Sequence, residues 1–240
     1  MSILNIAAYK FVSLGDLPNL RDALKSRCLA LQLKGTILLA HEGINLFLGG
    51  TSDNIATFKD QLRGDPAFDD IRFKDSFSDH LPFGKLLVKI KQEIIPFGKP
   101  AINPAERPAE RLSARTLKAW LDEGRNVVLL DTRNTFEITH GTFNNAADFA
   151  IDHFRNFPHA VERADPSLKE KTIVTFCTGG IRCEKAAPYL IQQGYKQVYQ
   201  LDGGILKYFA ECGKAHFEGD CFVFDERIAL DAQLKPTGSN

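Results

Sequence analysis

The chain opens on a mixed apolar run, Ile3 to Val12, that reads as a strand, and then changes period. From Asp16 to Leu33 the apolar residues Leu17, Leu20, Leu24, Cys28 and Leu31 recur at helical spacing, which predicts an amphipathic helix. Pro18 falls near its start, where proline is tolerated. Gly35 to Ala40 and Asn45 to Leu48 predict two strands joined through His41-Glu42-Gly43-Ile44, a hairpin with glycine at the turn. Ser52 or Asp53 is placed to cap a second helix through Arg63. Ile71 to Phe77 and Leu86 to Ile90 supply the last extended segments of this half.

The order strand, helix, strand, strand, helix, strand is that of a ferredoxin-like (split βαβ, acylphosphatase-like) domain, expected over residues 1–95. Residues 96–112 hold Pro96, Pro100, Pro104 and Pro108 with little apolar material and read as a semi-extended Pro-rich linker. From Ser113 helix and strand alternate. Ser113 caps a helix to Glu123 that stops at Gly124, and Val127 to Asp131 is a short strand ending in a charge. Thr172 to Phe176 is a second strand, followed by a glycine-bearing turn, a helix from Ile181 to Gln193, and a third strand at Val198 to Leu201. Wholly apolar strands alternating with helices predict a parallel α/β layer over 113–215, leaving 216–240 as a short C-terminal extension. The predicted fold class is therefore an α+β domain followed by a parallel α/β domain.

A length of 240 residues suits two such domains, and 44% apolar with 25% charged residues excludes a disordered or collagen-like chain. Thirty basic side chains balance thirty acidic ones, so no global field advertises a nucleic acid. Locally, Lys85 to Arg115 carries seven basic against three acidic side chains, Lys85, Lys89 and Lys91 among them. That excess reads as a solvated strand edge and linker, or as an RNA-facing seam. No apolar stretch approaches the roughly 18 residues of a membrane helix, and the N-terminus lacks the charged region of a signal peptide, so the expected location is cytoplasmic. Eighteen phenylalanines against five tyrosines offer base-stacking platforms in principle, but most stand at apolar-periodic positions that core packing explains.

Five cysteines, odd in number and scattered, predict reduced thiols, and no Cys-x-x-Cys pair points to zinc. A two-histidine, one-carboxylate iron site would have to draw on His140, Asp148, Asp152 or His153, and no dinucleotide fingerprint is present. No metal or organic cofactor is identified. His41, Glu42 and Asn45 read as local hydrogen-bonders of the turn.

The most informative segment begins at Thr172 and runs through Cys177-Thr178-Gly179-Gly180-Ile181-Arg182-Cys183. Cys177 stands at the carboxyl end of a parallel strand, where open α/β sheets place ligands. The two glycines let backbone N–H groups turn inward, and the following helix start and Arg182 add positive potential, which favours thiolate over thiol. The alternative is a small buried apolar residue. Cys183 falls in the first helical turn and reads equally as a packed residue or a resolving thiol.

These residues resemble a rhodanese domain. The loop from Cys177 to Arg182 has that family's six-residue length, with arginine five positions after the cysteine. Upstream, Asp131, Arg133, Glu137 and Gly141 resemble its aspartate, arginine, glutamate and glycine signature, and Leu201-Asp202-Gly203-Gly204 its closing glycine pair. Cysteine phosphatases carry arginine one position later, where Cys183 stands here. The resemblance implies Cys177 as a nucleophile holding a persulfide cradled by the loop amides, with Asp131 and Arg133 bracing the loops and Glu137 pairing within the fold.

Over nearly its full length the chain is similar to the tRNA uridine hydroxylase family, through Gly35 to Asn45, Phe83 to Ile90, Cys177 to Ala186 and Gly219 to Arg227. That resemblance implies oxygen-dependent formation of 5-hydroxyuridine at wobble position 34, with molecular oxygen as co-substrate and the tRNA anticodon region as partner. Lys85, Lys89, Lys91 and Arg182 then become the expected contacts to the anticodon backbone, and a sulfur donor a further partner, while the likeness of Glu42-Gly43-Ile44-Asn45 to that family's stretch implies a functional or domain-interface role for His41, Glu42 and Asn45. Many relatives continue past Phe-Val-Phe-Asp into a cysteine-rich tail, whereas Cys212 and Cys221 are the cysteines of the last thirty residues here. Two alternatives stand beside this reading: a thiosulfate-type sulfurtransferase carrying a cysteine persulfide, and a redox sensor in which Cys177 and Cys183 form a disulfide.

Overall fold

The computed structural model describes residues 2–237, which fall into two compact units. The first comprises residues up to Ile95 together with Asp225–Arg227, and the second comprises Pro96–Phe224 and the residues from Ile228 onward.

In the first unit the order is β1 (Ile3–Phe11), α1 (Leu17–Ala30), β2 (Lys34–Ala40), β3 (Gly43–Gly50), α2 (Ser52–Arg63), β4 (Phe73–Ser78) and β5 (Leu86–Ile90). The sheet runs β4-β1-β3-β2-β5, antiparallel except for the β2–β5 pair. It is the expected ferredoxin-like sheet with β5 added at one edge. The sheet and both helices close one core. Leu24 and Cys28 of α1 and Phe58 and Leu62 of α2 join Ile6, Ile37 and Leu46 of the strands there. Each large apolar side chain so buried contributes about 1.5–3 kcal/mol.

The cap of α2 is Thr51, rather than Ser52 or Asp53. Thr51 keeps an extended backbone (φ −63°, ψ 152°) and its side chain accepts from the Asn54 N–H at 3.3 Å. Asp53 instead sits within the first turn, where its charge suits the positive end of the helix. The β2–β3 turn is tighter than the sequence suggests, with His41 and Glu42 alone between the strands. His41 Nδ1 lies 2.9 Å from the Leu14 carbonyl oxygen. Glu42 Oε1 accepts the Ile94 N–H at 2.7 Å, and Asn45 Nδ2 donates to the Ile94 carbonyl at 3.2 Å. Glu42 and Asn45 thus fasten the chain beyond β5.

The second unit is built on five parallel strands: β6 (Glu110–Leu112), β7 (Val127–Asp131), β9 (Ala147–Asp148), β10 (Thr172–Phe176) and β11 (Gln197–Leu201). Their order is β6-β11-β10-β7-β9. Around them lie α3 (Ala114–Asp122), α4 (Thr135–Ile138), α5 (Phe157–Glu162), α6 (Ile181–Gln192) and α7 (Gly204–Cys212), and β8 (Gly141–Phe143) lies between α4 and β9. Ser113 caps α3 as expected, accepting from the Thr116 N–H at 3.1 Å.

Residues 96–112 are more than a linker. Phe97 is buried against Phe154, Phe157 and Tyr189, and Glu110–Leu112 forms the edge strand β6 beside β11. A three-residue strand and one aromatic anchor leave little periodic signal among four prolines. The last segment is likewise integrated. β12 (Phe217–Gly219) pairs with β8, and β13 (Cys221–Phe222) pairs with β14 (Ala229–Leu230). Arg227 ion-pairs with Asp225 and donates to Ser76 Oγ at 2.7 Å within the first unit. Among the described residues no helix is long and apolar enough to cross a membrane.

Candidate active site

Strand β10 lies between β7 and β11, and Phe176 at its end stands opposite Asp131 at the end of β7. Cys177 and Thr132 are therefore the first residues beyond two neighbouring parallel strands, where a sheet of this kind binds its ligands. The chain then curls back over the sulfur. Gly180 adopts φ 98°, a left-handed value that disfavours a side chain, and donates its N–H to Cys177 Sγ at 3.1 Å before α6 begins. From below, the first turn of α7 holds the same loop. Ile205 N–H donates to the Cys177 carbonyl at 3.0 Å and Leu206 N–H to the Thr178 carbonyl at 3.1 Å. These helix-start donors would otherwise lack partners. A Cβ at Gly204 would stand 2.4 Å from the Cys177 carbonyl oxygen and 2.8 Å from the Gly180 nitrogen, so glycine is required for this approach.

Cys177 is only 1% exposed, and burial alone would raise its thiol. Against burial act a hydrogen bond from Cys183, the positive charge of Arg182, and the N–H groups of Arg182 and Gly180, which together bring it down from an ordinary 9.0 to about 6. The other four thiols move the opposite way. Burial pushes Cys28 and Cys221 up to about 12 and raises Cys212. Burial and then the neighbouring Cys177 raise Cys183 well above its usual value. At neutral pH the nucleophilic sulfur is that of Cys177.

Arg182 is buried, and its Nη2 donates to Glu137 Oε1 at 2.8 Å. It is thus held inside the site, against the expectation that it contacts an RNA backbone, because the fully buried Glu137 needs its charge compensated there. Glu137 Oε2 also accepts the Asn134 N–H at 3.1 Å, which ties α4 to the same pair. A second buried pair lies beside it. Arg133 bonds both carboxylate oxygens of Asp131, Nη2 to Oδ2 at 2.6 Å, and reaches the Gly141 carbonyl at 2.7 Å. Thr142 Oγ1 donates to Asp131 Oδ2 at 2.8 Å. Asp131 and Arg133 bind loop to loop and present no open valence to a substrate except Arg133 Nη1, which lacks a hydrogen-bond partner.

Of the remaining loop residues, Thr178 donates through Oγ1 to the Phe222 carbonyl at 3.4 Å, Gly179 is half-buried, and Ile181 opens α6. Cys183 is fully buried, with Thr132 Oγ1 3.7 Å from its sulfur. Lys85, Lys89 and Lys91 belong to the other unit, exposed on and around the edge strand β5, where lysine also discourages pairing with another chain. The histidines and carboxylates considered for iron do not gather. His140 lies against the Phe222 ring, Asp148 accepts the Ala150 N–H, and among the described residues no group of three or more His, Cys, Asp or Glu is placed to hold a metal ion. The sequence reading missed the packing role of Gly204, although its glycine pair was visible. It weighed the phenylalanines only as a group and did not single out Phe136, Phe222 and Phe224. Phe136 and Phe224 are 46% and 50% exposed.

Residues 3–94 match the family described as UPF0176 acylphosphatase like domain, and residues 113–211 match the rhodanese-like domain. A protein of Burkholderia thailandensis named tRNA uridine(34) hydroxylase is 54% identical over 246 residues, covering 99% of this chain and 83% of the relative. One of the same name from Burkholderia vietnamiensis is 53% identical, covering 100% of this chain and 87% of the relative. A rhodanese-like domain from Anabaena sp. aligns over 54% of the chain at 23% identity with a TM-score of 0.40, so the assignment rests on the sequence matches. Both matches span essentially the whole chain, well above the likeness that chance would give, and the chain belongs to the tRNA uridine(34) hydroxylase family.

Proposed function

We propose that this protein hydroxylates C5 of the wobble uridine of tRNA, position 34, to give 5-hydroxyuridine, with Cys177 as the reactive group and molecular oxygen as co-substrate, one oxygen atom entering the base and the other leaving as water with two electrons and two protons from a reductant. The observation that carries this reading is the 54% identity over 99% of the chain to a tRNA uridine(34) hydroxylase. The shared region includes a ferredoxin-like unit that sulfur transfer by a rhodanese does not require. The reaction takes place where the tRNA is, in the cytoplasm. Lys85, Lys89 and Lys91 are exposed cations suited to phosphates around the anticodon.

The low pKa of Cys177 supports a role for it as a thiolate. At 1% exposure its sulfur is open to small reactants rather than bulky ones. The six-residue loop with its N–H on sulfur also favours a second reading, a sulfurtransferase loaded by a sulfur donor, because the same amides would hold a persulfide anion.

The test is nucleoside mass spectrometry of tRNA from cells lacking the gene, complemented with wild type or Cys177→Ser. With no parallel pathway active, 5-hydroxyuridine disappears in the deletion and returns with wild type alone. Oxidised uridine at equal levels in all strains refutes the hydroxylase reading, and robust thiosulfate turnover by the same protein then establishes the second.

A further inference from the structure

Beside the Cys177 loop the second unit carries an aromatic cluster that its core does not need. Phe136, Phe222 and Phe224 meet edge to face, with centroids 5.3 Å apart for Phe136–Phe222, 5.2 Å for Phe222–Phe224 and 6.3 Å for Phe136–Phe224. His140 adds a fourth ring, 5.3 Å from Phe222. Despite these contacts Phe136 and Phe224 remain 46% and 50% exposed. Burying them would have stabilised the fold, so their exposure calls for a partner.

The cluster is joined to the reactive loop at three points. Thr178 Oγ1 donates to the Phe222 carbonyl. Arg182 lies over the Phe224 ring at 5.6 Å. Its Nη2 is held by Glu137, the residue after Phe136. The guanidinium that lowers the Cys177 thiol thus also abuts the exposed ring. Its Nη1 is buried and has no hydrogen-bond partner, a donor that costs free energy until something accepts from it.

We infer that Phe136 and Phe224, whose planes stand 86° apart, form a corner for a nucleobase of the substrate RNA, which stacks on one ring and meets the other edge to face, with Arg182 Nη1 as donor to a carbonyl oxygen of that base. A planar, π-faced ligand with carbonyl acceptors at its rim matches an aromatic face bordered by an unpaired guanidinium N–H, and single-stranded RNA is held in this way. A uracil carries two such carbonyls. An aliphatic peptide side chain would cover the rings but leave the N–H unpaired. The inference rests on the proposed tRNA substrate and deepens it by placing the base beside the Cys177 loop.

The test uses the full-length protein and a synthetic anticodon stem-loop with uridine at the wobble position. Phe224→Ala and Phe136→Ala both weaken binding, the ring that stacks by roughly 5- to 150-fold and the ring met edge-on by about 2- to 12-fold. Phe224→Trp restores affinity, and its fluorescence is quenched on adding the RNA. Phe77→Ala, which removes a ring 55% exposed on the first unit, leaves affinity unchanged. Unaltered alkylation of Cys177 in every variant establishes that the loop is intact. Wild-type affinity in both alanine variants overturns the aromatic corner and leaves the hydroxylase reading standing. Failure of the wild type itself to bind the stem-loop overturns the RNA substrate and the corner with it.

Discussion

The Arg182–Glu137 pair separates two roles that a buried arginine beside a thiolate can play, electrostatic and purely mechanical. Arg182→Met alone is a poor probe, since it strands the fully buried Glu137 carboxylate, and breaking a buried pair from one side costs about 3–5 kcal/mol. The double variant Arg182→Met with Glu137→Gln removes both charges together. It keeps the approximate volume and leaves an acceptor for the Asn134 N–H, and such neutral replacements are often tolerated.

The lowering of Cys177 from 9.0 to about 6 amounts to roughly 4 kcal/mol in favour of the thiolate. That is what the hydrogen bonds and the guanidinium deliver after burial has opposed them. The double variant keeps the Cys183 hydrogen bond and the Gly180 and position-182 N–H groups, and hydrogen bonds to a charged acceptor are worth about 1.5–3 kcal/mol each. Loss of the guanidinium should therefore raise the midpoint by one to two pH units, to about 7–8, and cut the thiolate fraction at pH 7 from about 90% to between about 10% and 50%. The assay is the rate of Cys177 alkylation by a small reagent between pH 5 and 9.5, read by mass on the peptide that carries it. In wild type the rate should rise as pH passes about 6 and level off above it, because the charged form is the reactive one. A folded double variant whose midpoint stays near 6 would refute the electrostatic role and leave Arg182 as a brace.

Two further substitutions probe how the loop is held. Asp131→Asn leaves the fully buried Arg133 guanidinium without its counter-charge and should cost about 3–5 kcal/mol in urea unfolding at unchanged slope; a loss under about 1 kcal/mol would show that the pair does not brace the site. Gly204→Ala places a methyl group 2.4 Å from the Cys177 carbonyl at φ +66°, so the loop must shift: hydroxylation should fall at least about tenfold and the alkylation midpoint should climb towards 9.0, while a variant with wild-type values for both would show that the contact yields freely.

The parts of the site that were legible in the sequence are those whose geometry is local. Cys177, the two glycines, Ile181 and Arg182 are consecutive, and a strand before them with a helix after them dictates where the sulfur stands and which way the amides point. The partner of Arg182 lies 45 residues away, so pairing with Glu137 removes Arg182 from the list of exposed cations for a reason that no local pattern carries. Periodicity likewise finds apolar positions without telling which of them stay uncovered. Phe222 and Phe224 alternate as a strand should, yet β13 ends at Phe222 and Phe224, two residues on, is left 50% exposed. Beta strand β6 and the Phe97 anchor are hidden by prolines, and Thr51 outcompetes Ser52 as a cap only because its backbone is extended there.

The charges around Cys177 bear on which chemistry the site selects. Asp131 with Arg133 and Glu137 with Arg182 are two closed pairs, so ionising the sulfur adds the one uncompensated charge, and it is met by N–H dipoles and by a guanidinium already shared with Glu137. Such an arrangement favours any anionic state of the sulfur, thiolate or persulfide, over a neutral one. The loop therefore specifies charge at sulfur and is indifferent to whether the next partner is an acceptor thiol or a base. Discrimination between those partners falls to what borders the loop, and the bordering surface is aromatic and half-exposed, with the buried Arg182, whose Nη1 has no hydrogen-bond partner, against the Phe224 ring. A small acceptor thiol needs none of these features, whereas a planar base uses every one of them. The substrate is thus written in the rim around Cys177 and the reactivity in the loop, which is why aromatic substitutions should separate from loop substitutions in their effects on RNA affinity and on thiol reactivity.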